Sequence, residues 1–98
     1  MRRQGSPSSS YISVRWVHAN PEYPIVLVSE LNSSRMELRK IEYFKDGRVG
    51  TASRDHATGG TMLGIEPVPE LQEINADPQF VGEAISEADF NSQWNVYV

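Results

Sequence analysis

The chain has no cysteine. That excludes a disulfide framework, a thiolate zinc site and a thiol nucleophile. It suits a reducing compartment, so a cytoplasmic location is expected. Long apolar runs are missing as well. Ile25 to Val28 is the longest, with four residues, against the roughly 18–20 that a membrane span needs. No apolar stretch follows Arg2 and Arg3, so they do not read as a secretory leader. Lysine is confined to Lys40 and Lys45, and histidine to His18 and His56. Two distant histidines, with no His-x-x-x-His and no calcium-loop spacing of carboxylates, give no reason to expect a metal. Gly-x-Ser-x-Gly, the phosphate loop and the dinucleotide glycine pattern are all absent, so no cofactor is expected.

What is present is a 98-residue chain, enough for one small domain and one small core. Its net charge of −4 is unevenly spread. Residues 1–50 carry eight bases against five acids, and residues 51–98 carry Arg54 against eight acids. An acidic half is a poor phosphate binder and a fair partner for a basic surface, although a solvated face has the same composition.

Residues 1–10 are rich in Ser, Gly, Pro and Arg, without apolar periodicity, and are expected to be a disordered tail. Residues 11–98 form the domain. Tyr11 to His18 alternates, with Ile12, Val14, Trp16 and His18 on one parity, as a half-buried strand does. Asn20-Pro21-Glu22-Tyr23-Pro24 is a turn, and Ile25 to Leu31 a second strand. In Arg35 to Phe44 the pattern slips, because Met36 and Leu38 lie on one parity and Ile41 and Tyr43 on the other. A one-residue bulge at Arg39-Lys40 would reconcile them. Lys45-Asp46-Gly47 fits a three-residue hairpin loop with glycine at positive φ, returning the chain into strand 48–53.

Pro69 to Ile74 looks like one or two helical turns. Ser86 fits an N-cap with Asp89 at the third helical position, and Ile85 and Phe90 fit a hydrophobic staple. Phe90 and Trp94, four apart, share a helix face. The expected fold is therefore α+β: a four-stranded antiparallel meander over residues 11–53, packed by C-terminal helices. Ile12, Val14, Trp16, Leu27, Leu38, Ile41, Leu71, Ile74, Phe90 and Trp94 are its expected core.

Arg54-Asp55-His56-Ala57-Thr58-Gly59-Gly60-Thr61-Met62-Leu63-Gly64 gathers an acid, a base, a histidine and three glycines. It reads as the crossing from the sheet to the helical half, with glycines serving the backbone. If the domain has a ligand loop, its residues are His18, Arg54, Asp55, His56, Gly59 and Gly60. A small enzyme or ligand-binding domain would use His18, Asp55 and His56 for acid–base work there. Nucleic-acid binding would use Arg15, Arg35, Arg39, Lys40 and Arg48 with Tyr11, Trp16 and Tyr43. The parity of Trp16 and the acidic second half argue against it.

Several segments together resemble a family of small, uncharacterised bacterial domains of unknown function. They are Trp16-Val17-His18, Ser29-Glu30-Leu31, Arg39-Lys40-Ile41-Glu42, Asp46-Gly47-Arg48-Val49-Gly50, Thr58-Gly59-Gly60-Thr61, Leu63-Gly64, Glu73-Ile74-Asn75-Ala76-Asp77-Pro78 and the Ile85–Trp94 helix. The resemblance covers roughly residues 11–95 and implies no mechanism. The overall form is also similar to bacterial toxin-immunity proteins, which are small, acidic, cysteine-free α+β domains. The leading expectation is a non-enzymatic protein-binding module with an immunity or antitoxin-like role. It would face a basic partner, such as a toxin domain, through Glu66, Glu70, Glu73, Asp77, Glu87 and Asp89.

Overall fold

The computed structural model describes residues 9–98. The tail expected over residues 1–10 lies outside the described residues except at its end, where Ser10 already begins a strand. Four strands follow in the expected order: β1 (Ser10–Trp16), β2 (Val26–Leu31), β3 (Glu37–Tyr43) and β4 (Val49–Ser53). Two more extend the meander. The short β5 (His56–Ala57) pairs with β4, and β6 (Phe80–Ala84) pairs with β1, giving an antiparallel sheet in the order β5-β4-β3-β2-β1-β6. The four-stranded expectation is thus corrected to six strands. Helices α1 (Leu71–Asn75) and α2 (Glu87–Tyr97) complete the fold.

The two edge strands of the meander are paired by β5 and β6. Asn75 covers the outer edge of β6 with one side-chain amide, accepting from the Gly82 N–H at 2.6 Å and donating to the Gly82 carbonyl at 3.0 Å. This imitates the bonding of a further strand and occupies an edge open to a foreign strand.

The two faces of the sheet carry separate cores. Register places Tyr11, Val26, Val28, Ile41 and Tyr43 on one face, where Phe90 and Trp94 of α2 pack with Ile85. Ile12, Val14 and Leu31 lie on the other, under Val68, Leu71, Ile74 and Phe80. So α2 does not cover the Ile12/Val14/Trp16 face; the segment through α1 does. The N-terminal design of α2 is as the sequence predicts: Ser86 Oγ accepts from the Asp89 N–H at 3.0 Å, and Ile85 and Phe90 join one cluster.

The slip in β3 is a bulge, but not at Arg39-Lys40. Pairing steps from Glu30↔Arg39 to Leu31↔Glu37, so Leu38 is the extra residue. Leu38 is exposed, at 38%, and is not core. Among the other expected core residues Ile12, Val14, Ile41 and Phe90 are buried, while Trp16, Leu27, Leu71, Ile74 and Trp94 are half-buried. Trp16 instead stacks on Tyr23 at 5.4 Å and meets His18 edge-on at 4.5 Å.

Gly50 lets the 58–61 segment lie flat against β4. A Cβ there would come 2.0 Å from Thr61 Oγ1 and 3.1 Å from the Thr58 carbonyl. At Gly47, φ is +94° but nothing lies within 4 Å of such a Cβ. Gly50→Ala is expected to cost about 2–3 kcal/mol through overpacking, and Gly47→Ala about 1 kcal/mol through backbone strain alone. Urea denaturation of the two variants checks that order.

Tyr11 and Tyr43 sit under α2. Burial, then the hydrogen bond to Glu30 and the charges of Glu30 and Glu87, raises the Tyr11 hydroxyl above its usual 10.0. Burial, then Tyr97 and Asp89, raises Tyr43. The unfolded chain gives up these protons first. The stability they confer is complete below pH about 10 and is lost as pH climbs through the folded values. Absorbance titration is expected to show a late-ionising component that Tyr43→Phe reduces; simultaneous ionisation of all the tyrosines at pH about 10 would contradict it.

Candidate functional site

The site is built on the sheet face that α1 covers, and it begins with the bulge. Residues three apart in a regular strand point to opposite faces. The extra Leu38 brings Glu37 onto the same face as Lys40, 3.0 Å from its ammonium. Lys40 is only 9% exposed. Glu42 lies 3.9 Å away, and Lys40 donates to the Met62 carbonyl at 3.2 Å. The carboxylates hold the crossing in turn. Thr61 Oγ1 donates to Glu42 at 2.8 Å, and the Gly64 N–H donates to Glu37 at 2.6 Å.

Past this anchor the chain runs over the sheet to α1, and Arg35 fixes its height. Arg35 holds φ at +63° in the β2–β3 turn. Its guanidinium donates to the carbonyls of Val68 and Pro69, both at 2.7 Å, and lies 3.5 Å from Glu70. Its own carbonyl accepts from the Val68 N–H at 2.8 Å.

Between this strap and the sheet lies a groove of about 340 Å³. Ile12, Val14, Leu27 and Phe80 form its apolar floor and wall, and Val68, Pro69 and Ile74 its roof. Ser29 lies on the floor, with Glu37, Glu73 and Asp77 around it. A concave apolar surface with a few polar groups at its margin is the usual form of a binding site.

The acidic candidates divide. Glu66, Glu70, Glu73 and Asp77 are exposed on the α1 side. Glu87 and Asp89 are exposed in the first turn of α2, across the sheet, where they complement the helix dipole. Composition carries no sign of this division, because only the order of layers decides it. Ser29 was missed: a lone serine in a strand carries no signal until the register is known.

The ligand-loop candidates do not converge. His18 accepts from the Asn20 N–H at Nδ1 (3.0 Å), and its Nε2 donates to the Pro24 carbonyl at 2.8 Å, so both ring nitrogens serve the turn after β1. His56 is on β5, four strands away, or about 19 Å of sheet. It also lies level with the opposite end of β1. Its Nε2 shares a hydrogen bond with Thr51 Oγ1 at 2.9 Å. Arg54 and Asp55 are exposed at the β4–β5 turn, 3.8 Å from each other. Gly59 and Gly60 take φ of +63° and +77° at the turn onto the crossing.

The basic residues also separate. Arg39 is under α2, paired with Glu30 at 2.6 Å and 4.7 Å from the centre of the Phe90 ring, whereas Lys40 is on the other face. Among the described residues, no three His, Asp or Glu side chains group as metal ligands would, and no helix is long and apolar enough to cross a membrane.

Arg35→Gly would relieve the positive φ and remove the guanidinium from the strap. Faster amide exchange at Val68 is expected, with global stability changed by less than about 2 kcal/mol because the two effects oppose each other. Unchanged exchange at Val68 would show that the strap holds without Arg35.

The model of a family described as Domain of unknown function (DUF6881) matches residues 10–98. No curated protein and no solved structure matches the chain.

Proposed function

The chain belongs to the DUF6881 family, and from the surface of this domain we propose that it is a non-enzymatic protein-binding module. The role is immunity- or antitoxin-like, in a cytoplasmic setting, with a basic partner such as a toxin domain. One observation carries the reading: Glu66, Glu70, Glu73 and Asp77 are exposed on the same side of the sheet as an apolar groove. Arg35, the nearby cation, is turned to backbone carbonyls and to Glu70. Apolar contact supplies affinity in such an interface, and the acids speed encounter and exclude acidic competitors. His18 and His56 are far apart and each is committed to neighbours within the fold, which favours binding over acid–base catalysis.

Glu70→Lys with Glu73→Lys is the test, because both side chains are exposed. With the partner captured from source cells, titration calorimetry at two salt concentrations is expected to show at least a tenfold weaker complex and a shallower salt dependence. Co-expression with the partner is expected to relieve its toxicity only with the unaltered chain. Unchanged affinity and salt dependence would refute the acidic surface as the contact.

A further inference from the structure

We propose that the groove under the α1 strap is an anchor site for a partner segment presenting one apolar side chain next to a lysine or arginine. This rests on the protein-binding reading and specifies what the partner inserts. Three observations converge on it. The floor and roof are apolar: Ile12, Val14 and Leu27 face Val68 and Ile74 with about 340 Å³ between them. That volume is near the lower end for binding cavities and suits one large side chain rather than a whole helix. The margin is acidic. Glu73 and Asp77 are exposed there without an ion pair among the described residues, so the charge facing an incoming segment is negative.

The third observation is Ser29. It is 4% exposed, register places its side chain on the groove face, and it is a polar group on an otherwise apolar floor. A hydroxyl facing an apolar groove favours an incoming segment that offers it a hydrogen bond. A backbone or side-chain polar group of an inserted segment would supply one. Apolar floor, single hydroxyl and acidic rim together describe an anchor residue in a pocket with charges around it, the arrangement that concentrates binding energy in protein interfaces.

The test uses the full chain, isotope-labelled, and three acetylated and amidated tripeptides: Lys-Phe-Lys, Lys-Ser-Lys and Glu-Phe-Glu. Nuclear magnetic resonance follows the amides of Ile12, Leu27, Ser29 and Ile74. Lys-Phe-Lys is expected to shift them saturably. Removing the anchor in Lys-Ser-Lys is expected to weaken binding at least about tenfold. Glu-Phe-Glu is expected to bind more weakly than Lys-Phe-Lys. Glu73→Gln with Asp77→Asn, which keeps an oxygen at residue 77 to accept from the Gln79 N–H, is expected to weaken Lys-Phe-Lys about two- to fivefold per carboxylate and to erase its advantage over Glu-Phe-Glu.

Groove amides unmoved by Lys-Phe-Lys, or moved equally by Lys-Ser-Lys or Glu-Phe-Glu, would overturn the proposal. If the partner's affinity falls on charge reversal while Lys-Phe-Lys leaves the groove unmoved, protein binding stands and the anchor does not. If Lys-Phe-Lys binds as expected while charge reversal leaves the partner's affinity unchanged, the anchor stands and the acidic contact does not.

Discussion

The ammonium of Lys40, held inside one face of the sheet, constrains everything built above it. A lysine buried without partners is far too costly for a small domain to carry. Here Glu37, Glu42 and the Met62 carbonyl surround it. Only the bulge at Leu38 brings Glu37 to that face. The same two carboxylates then accept from Thr61 and Gly64. The charge cluster therefore fixes the path of the chain as it leaves the sheet edge. Gly50 completes the arrangement by leaving room for Thr61. A single buried cation thus links a strand irregularity, a glycine and a loop of little apparent regularity.

Across the sheet, Arg39 solves a similar problem by other means. It pairs with Glu30, donates to Asn91 at 2.9 Å, and lies over Phe90 and Trp94. Its charge is screened by ring faces as well as by a carboxylate, and α2 is fixed in the process. Adjacent bases in β3 thereby organise opposite layers, each securing one of the two segments that cover the sheet. This is why Arg39-Lys40 does not present a basic surface, although its composition suggests one.

The parts legible in the sequence were those set by local chemistry. Strand alternation in β1, the Lys45-Asp46-Gly47 loop, and the Ser86 cap with its staple each depend on residues within a few positions of one another. What was not legible depends on partners far along the chain. The segment Phe80-Val81-Gly82-Glu83-Ala84 has weak strand character, and it becomes β6 because β1 offers it an edge and Leu71 of α1 needs the space over Gly82. The need for a bulge could be read from the parity slip in β3. Its position could not, since its beneficiary is Glu37 and not an apolar pair. Of the candidate site, the acids around α1 were visible as charge, while the groove beside them awaited the knowledge that α1, and not α2, covers Ile12 and Val14.

The groove follows from the brevity of α1. Five helical residues cannot cover a face six strands wide. Gly82 lets α1 settle towards β6, since a Cβ there would come 2.9 Å from Leu71. Arg35 and the Lys40 cluster meanwhile hold the chain on the opposite side. Pinned at both ends, the strap cannot collapse onto Leu27 and Ser29 without breaking charge-assisted bonds. The opening is thus a consequence of the polar contacts that stabilise the crossing. An apolar floor maintained in this way keeps its shape before anything binds, which lowers the ordering cost of association.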